Sequence, residues 1–121
     1  KLKNYIKLID LKKNPFPYLK KSDAFILTSI YEGLPNVLLE ALTLKKLIIS
    51  SNCPTGPKEI LDNGKGGLIF KMNNKTDLYK KIIFFINNKS KCQKLVNHGH
   101  QRLTRFDYQK NLKKYLTLLN S

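Results

Sequence analysis

The sequence predicts an α/β fold built on a parallel, doubly wound sheet, and three observations carry that reading. Two short apolar runs, Ala24–Ser29 (AFILTS) and Leu47–Ser51 (LIISS), are continuous rather than alternating, the pattern of strands buried on both faces. Segments of helical period separate and follow them, and that alternation of strand with helix implies a parallel sheet. A turn rich in signals, Ser29–Leu42 (SIYEGLPNVLLEAL), joins the first strand to a helix, and the rest of the chain is organised around it.

Taken in order, Asn4–Ile9 (NYIKLI) alternates well enough for a short strand. Pro15 and Pro17 then mark a turn, and Tyr18–Lys21 fits a short helix. The strand Ala24–Ser29 leads into a central helix over Leu34–Leu44. Its Leu34, Val37, Leu38, Ala41 and Leu42 form one apolar face at i, i+3, i+4, i+7 and i+8. Leu39 and Leu44 lie off that face, so the helix is expected to be covered on most sides and Glu40 to be partly exposed at best. A carboxylate in such company needs a partner, because burial without one costs several kcal/mol.

Leu47–Ser51 is the next strand, NCPTGP a turn, and KEILDNG one or two helical turns closed by Gly64. Gly67–Phe70 is a short strand. Asp77–Asn87 is a helix capped by Thr76 or Asn74. Ser90–Arg105 is another helix. Tyr108, Leu112, Tyr115, Leu116 and Leu119 outline a final amphipathic one. Four short strands are few for a self-sufficient doubly wound domain, so residues 1–121 read as a single, incomplete domain. The start at Lys1, with Met72 as the sole methionine, fits an excerpt from a longer chain.

Composition narrows the function classes. No apolar run approaches the roughly 18 residues that cross a membrane, and no signal peptide is visible in KLKNYIKLID, so a cytoplasmic location is expected. The formal charge is +15, which raises a nucleic-acid or anionic-membrane reading. The plainer reading is solvated lysine in an AT-rich coding context. Only two of the 23 basic residues are arginine, Arg102 and Arg105, and base readout leans on arginine, so no nucleic-acid partner is expected. Peripheral contact with the inner face of a membrane stays open. Cys53 and Cys92 are far apart without metal-type spacing, and His98 and His100 at i, i+2 do not share a helical face; no metal is expected.

The chemistry concentrates at the turn. Glu32 stands in a Gly-containing turn, and Glu40 follows eight residues later within the helix. Gly33 permits close backbone approach, and Pro35 suits a first helical position because it has no N–H to leave unpaired. A strand end, a Gly turn and a helix start together make a site for a phosphate-bearing ligand. Two carboxylates at this spacing fit a general acid–base pair, or acceptors for sugar or ribose hydroxyls, or simply a turn Glu and a solvated helix Glu.

The wider context is more specific. SIYEGLPNVLLEAL, then LIISSNCPTGPKEIL and DNGKGGLIF, preceded by KNPFPYLKKSDAFILTS, resembles the donor-binding half of the retaining family 4 (group 1) glycosyltransferases, in order over about Tyr5 to Ile86. The resemblance implies a partial Rossmann-like sheet, the C-terminal domain of a GT-B fold, with the acceptor domain absent. It is nearest to members that build bacterial polysaccharide and lipopolysaccharide. It implies transfer of a sugar, with retention, from a nucleotide-diphosphate sugar such as a UDP-sugar to a glycan or lipid-linked acceptor, without a cofactor or a tightly bound metal.

By that resemblance Glu32 touches the donor sugar near the reacting centre. Gly33, Leu34, Pro35 and Asn36 lie against the sugar and diphosphate, and Glu40 accepts hydrogen bonds from the ribose. Asp10, Leu11, Lys12, Lys13 and Asn14 fall in the loop beside the base. Glu59 matches a common family Glu that orders the nearby turn, although an exposed helix Glu explains it equally well. The family's Arg and Lys that neutralise the diphosphate are missing, so the chain alone is expected to have little activity. The missing half would come in cis or from a partner chain, the latter making this a non-catalytic donor-binding subunit. Asp10 and Lys45 replace frequent glycines, Leu47 a frequent proline and Gly66 a frequent aromatic.

Overall fold

The structure is a computed structural model that describes residues 2–10, 14–107, 117 and 120. Three strands form one sheet: β1 (Ala24–Leu27), β2 (Leu47–Ser51) and β3 (Leu68–Phe70), side by side in that order. Both pairs are parallel, with Ala24 opposite Leu47 and Ile49 opposite Leu68. The helices are α1 (Phe16–Lys21), α2 (Asn36–Thr43), α3 (Pro57–Ile60), α4 (Lys75–Asn87) and α5 (Lys89–Gln101), with 3-10 turns at Leu2–Asn4, Asp62–Gly64 and Arg102–Phe106.

Helices cover both faces of the sheet at β2, as its continuous apolar run requires, whereas the edge strand β1, expected to be buried on both faces, is only partly covered, with Ile26 41% exposed. On one face Ile48, Phe25, Leu27 and Ile69 meet Leu38, Ala41 and Leu42 of α2 together with Ile60 and Leu61. On the other, Leu47, Ile49 and Phe70 meet Leu78 and Ile82 of α4 and Cys92 and Val96 of α5. All five residues of β2 are buried, which is why LIISS carries no alternation. Each fully buried Leu or Ile contributes about 1.5–3 kcal/mol relative to exposure.

Several boundaries differ from expectation. Asn4–Ile9 forms no strand: Tyr5 and Leu8 are 87% and 93% exposed, and Ile6 and Ile9 are exposed as well. Alternation permits a strand, but a ladder partner makes one, and Asn4–Ile9 pairs with neither edge of the three-stranded sheet. Among the described residues the sheet therefore has three strands where four were expected. The first strand stops at Leu27, two residues early, and beyond it the Ser29 carbonyl accepts from the Ser51 hydroxyl.

The central helix begins at Asn36, not Leu34. Pro35 is its N-cap, with φ −73° and ψ 101°, rather than its first helical residue. A residue before proline is disfavoured in the α region, so Leu34 stays outside the helix, 48% exposed, instead of joining its apolar face. The next long helix, α4, starts two residues before Asp77, with the Asn74 side chain accepting from the Asp77 N–H at 2.8 Å; Asn74, not Thr76, is the cap. The following helix ends at Gln101, and Arg102–Phe106 tightens into a 3-10 turn. The expected final helix, Tyr108–Leu119, lies outside the described residues apart from Thr117, which is helical.

Candidate functional site

Because the strands are parallel, Leu27, Ser51 and Phe70 all end on the same side of the sheet. The connections leaving that side are where an open α/β sheet builds its sites. Two of them come together here. The turn after β1, residues 28–35, lies against the turn after β2, residues 52–56. Gly56, at φ +67°, is what lets them meet: a Cβ there would sit 2.0 Å from the Gly33 carbonyl oxygen and 2.7 Å from Pro35 Cδ.

Hydroxyl groups fasten the two turns. Ser29 Oγ donates to Glu32 Oε1 at 2.7 Å. Ser51 Oγ, buried at the end of β2, donates to the Ser29 carbonyl at 2.5 Å. Thr55 Oγ1 lies 2.7 Å from both the Glu32 and the Pro54 carbonyl oxygens and donates to one at a time. Beside them, Asn52 joins β2 to the segment after β3, its N–H donating to Phe70 O at 2.9 Å and its Oδ1 accepting from the Met72 N–H at 2.8 Å.

Glu32 is half-buried and held from its side chain and from its carbonyl. Gly33 and Leu34 are exposed, Pro35 is buried and Asn36 is exposed at the first position of α2. No side chain caps that helix; the Leu38 N–H donates to the Pro35 carbonyl at 3.0 Å, while the Asn36 and Val37 amides have no acceptor among the described residues. Glu40 is half-buried in the middle of α2 as expected. The partner anticipated for its carboxylate is absent among the described residues, because its helix face stays partly open to water.

The structure thus brings Glu32, Gly33, Leu34, Pro35 and Asn36 together on one connection, with Glu40 about one helical turn further on. The proposed base-adjacent loop is different. Leu11, Lys12 and Lys13 lie outside the described residues. Asp10 is exposed, and Asn14 Oδ1 accepts from the N–H of Phe16, the first residue of α1, at 3.1 Å. Sequence reasoning missed Ser29, Ser51 and Thr55. Ser29 had a signal, since Ser followed three residues later by Glu is a reciprocal capping spacing. Ser51 and Thr55 had none, because they come from a separate strand and loop.

A groove of about 490 Å³ runs along the open edge of β3, lined by Lys58, Asn63, Gly67 and Lys81 among others, and touches neither Glu32 nor Glu40. Among the described residues, no three His, Cys, Asp or Glu side chains converge as a metal site would need. Cys53 and Cys92 are free and buried, and burial pushes the Cys92 thiol pKa up, with Lys89 opposing. His98 and His100 go to separate partners, Asp62 Oδ2 at 2.7 Å and the Leu42 carbonyl at 3.0 Å. Glu59 is exposed, in keeping with the plainer of its two readings. No helix among the described residues is long and apolar enough to cross a membrane.

The family described as glycosyl transferases group 1 matches residues 3–102. An uncharacterized glycosyltransferase of Methanocaldococcus jannaschii is 50% identical over 60 residues, half of this chain and 15% of that one. A Campylobacter jejuni alpha-1,4-N-acetyl-D-galactosaminyltransferase that acts on an undecaprenol-diphosphate-linked glycan is 30% identical over 83% of this chain and 28% of its own. A Staphylococcus aureus TarM variant, solved with Fondaparinux, alpha-GlcNAc-glycerol and UDP, superimposes with a TM-score of 0.85. It is 23% identical, over 99% of this chain and 24% of that one. The chain therefore spans less than a third of the length of each of these three proteins.

Proposed function

The chain belongs to the group 1 glycosyl transferases, with the fold of a GT-B C-terminal domain, and on that premise we propose that it is the donor-binding part of an enzyme that transfers a sugar from a nucleotide-diphosphate sugar with retention. The acceptor is a glycan or a lipid-linked glycan in bacterial surface polysaccharide or lipopolysaccharide assembly, at the cytoplasmic face of the membrane. One observation carries this reading. Glu32 and Glu40 share the connection leaving the C-terminal end of β1, with the uncapped start of α2 between them.

The division of labour follows from the chemistry. The leaving diphosphate gains negative charge as the sugar departs, and the open amides at Gly33, Leu34 and Asn36 offer hydrogen bonds backed by the α2 dipole. The sugar gains positive, oxocarbenium-like character, and the role assigned to the Glu32 carboxylate is to orient and stabilise it. Glu40 accepts from the ribose hydroxyls, and the Asp10–Asn14 segment lies beside the base. UDP is the nucleotide proposed, since it is the one bound in the TarM structure. No cofactor or metal is invoked. Charge neutralisation at the diphosphate and the acceptor surface are assigned to the rest of the protein, in cis or in a partner chain.

The test uses the full-length protein that carries this sequence, with turnover read as UDP release from UDP-N-acetylgalactosamine, a donor proposed from the Campylobacter jejuni N-acetylgalactosaminyltransferases it is similar to. Glu32→Ala is expected to lower turnover about 100-fold or more, the scale of removing one preorganised electrostatic contact. Glu40→Ala is expected to weaken UDP binding about tenfold, as loss of a hydrogen bond to a charged acceptor would. Near-normal turnover in the first, or unchanged affinity in the second, would remove the corresponding assignment.

A further inference from the structure

We infer that Ser51 is a positioning residue for Glu32, acting through Ser29. The inference rests on the role proposed for Glu32 and adds the device that holds it. Ser51 lies on β2, nineteen residues from Glu32 in a separate connection, yet its hydroxyl reaches the backbone carbonyl of Ser29. The Ser29 hydroxyl in turn reaches Glu32 Oε1. The result is a two-step chain from a fixed strand to a carboxylate on a turn.

The anchoring end is rigid and the working end is not. Ser51 is 1% exposed, in a strand whose five residues are all buried, and its backbone pairs with Phe70. Glu32 sits on a turn flanked by exposed Tyr31 and Gly33, where nothing in its own sequence would hold one rotamer. A single hydrogen bond from Ser29 fixes the carboxylate only if Ser29 itself is fixed. The Ser51 bond does that, and the Thr55 hydroxyl near the Glu32 carbonyl supports the same turn from the second loop.

The neighbouring Ser50 supplies the internal comparison. It is equally buried in the same strand, but its hydroxyl donates to the Ser51 carbonyl at 3.1 Å and makes no link to the turn. Ser50→Ala and Ser51→Ala therefore remove the same group from the same strand, and only the second reaches Glu32.

The experiment compares Ser50→Ala, Ser51→Ala, Glu32→Ala and the Ser51→Ala/Glu32→Ala double variant in the full-length protein, reading kcat for UDP release from UDP-N-acetylgalactosamine and the Kd for UDP. Ser51→Ala is expected to lower kcat about tenfold, as when one hydrogen bond on a reacting group loosens. UDP affinity stays unchanged, and the loss disappears in the Glu32→Ala background, because the residue it acts through is gone. Ser50→Ala leaves kcat near wild type. Ser29→Ala reproduces the loss and Ser29→Thr restores it.

An equal loss in both backgrounds, or a Ser51→Ala effect no larger than that of Ser50→Ala beside a severe Glu32→Ala, would overturn the inference alone. A harmless Glu32→Ala would instead overturn the functional reading, and the inference with it. Should Ser51→Ala not fold, Ser51→Cys, close to serine in size but a weak donor, reads the same comparison.

Discussion

Lys45 shows how far one residue can depart from a pattern without changing the path of the chain. Helix α2 ends in a Schellman arrangement: the Lys46 N–H donates to Ala41 O at 3.0 Å and the Lys45 N–H to Leu42 O at 2.9 Å. That motif needs a left-handed residue at the first position beyond the cap, and Lys45 supplies it with φ 54°. The sequence marked this position as one where glycine is usual, and the structure keeps the conformation despite the side chain. Lys45→Gly is therefore expected to raise the unfolding free energy by about 1 kcal/mol, read as a higher urea midpoint. An unchanged or lower midpoint would mean that the left-handed turn carries no strain. At the same scale, Glu32 and Glu40 were legible from their setting between a strand end and a helix. Ser51 was not, because no local pattern tells which buried serine points across to another connection.

Among the elements, α5 explains a second departure. Gly66 stands where an aromatic is frequent, and its position lies against Gly99 in the last turn of α5; a Cβ on Gly66 would be 3.0 Å from Gly99 Cα. A Cβ on Gly99 would be 2.8 Å from Leu42 Cδ2 and 2.9 Å from Gly66 O. The two glycines let α5 approach both α2 and the loop before β3. An aromatic at 66 would hold the helix away. Gly99→Ala gains about 1 kcal/mol of helix propensity, yet the crowding costs about 1–3 kcal/mol, so a net loss of stability is expected in denaturant unfolding.

The same helix carries an ion-pair cluster that ties it to the 3-10 turn. Asp62 Oδ2 lies 2.7 Å from His98 Nε2 and 3.7 Å from Arg102 Nε. The His98 hydrogen bond, with help from Arg102, Arg105 and Lys65, holds the Asp62 pKa below its usual value of 3.8, against a smaller opposing effect of desolvation. A carboxyl whose folded pKa is lowered stabilises the fold above its unfolded pKa, and that contribution fades as the pH falls through the folded value. Wild type should thus exceed Asp62→Asn in urea midpoint near neutrality, with the gap closing only below about pH 3.8. A gap that persisted at lower pH would assign the difference to packing.

For the molecule as a whole, the +15 charge acts on association rather than on the fold. Binding of this chain to DNA duplexes is expected to ignore base sequence and to fall steeply between about 50 and 200 mM salt, in a fluorescence-anisotropy series. Salt-resistant, sequence-selective binding would point to a nucleic-acid function in place of the one proposed. The sequence by itself determined the α/β class, the three strands that pair, the order of the described helices and the turn that bears Glu32. Each of those depends on local period, turn chemistry or run length, which a linear chain displays. Only the tertiary structure decided that Tyr5–Ile9 stays out of the sheet, that Leu34 lies exposed, that Gly56 seats the second turn on the first and that Ser51 reaches Ser29. Those outcomes depend on which surfaces meet, and a strand, a close backbone approach or a cross-strand hydrogen bond exists only when its partner is in place.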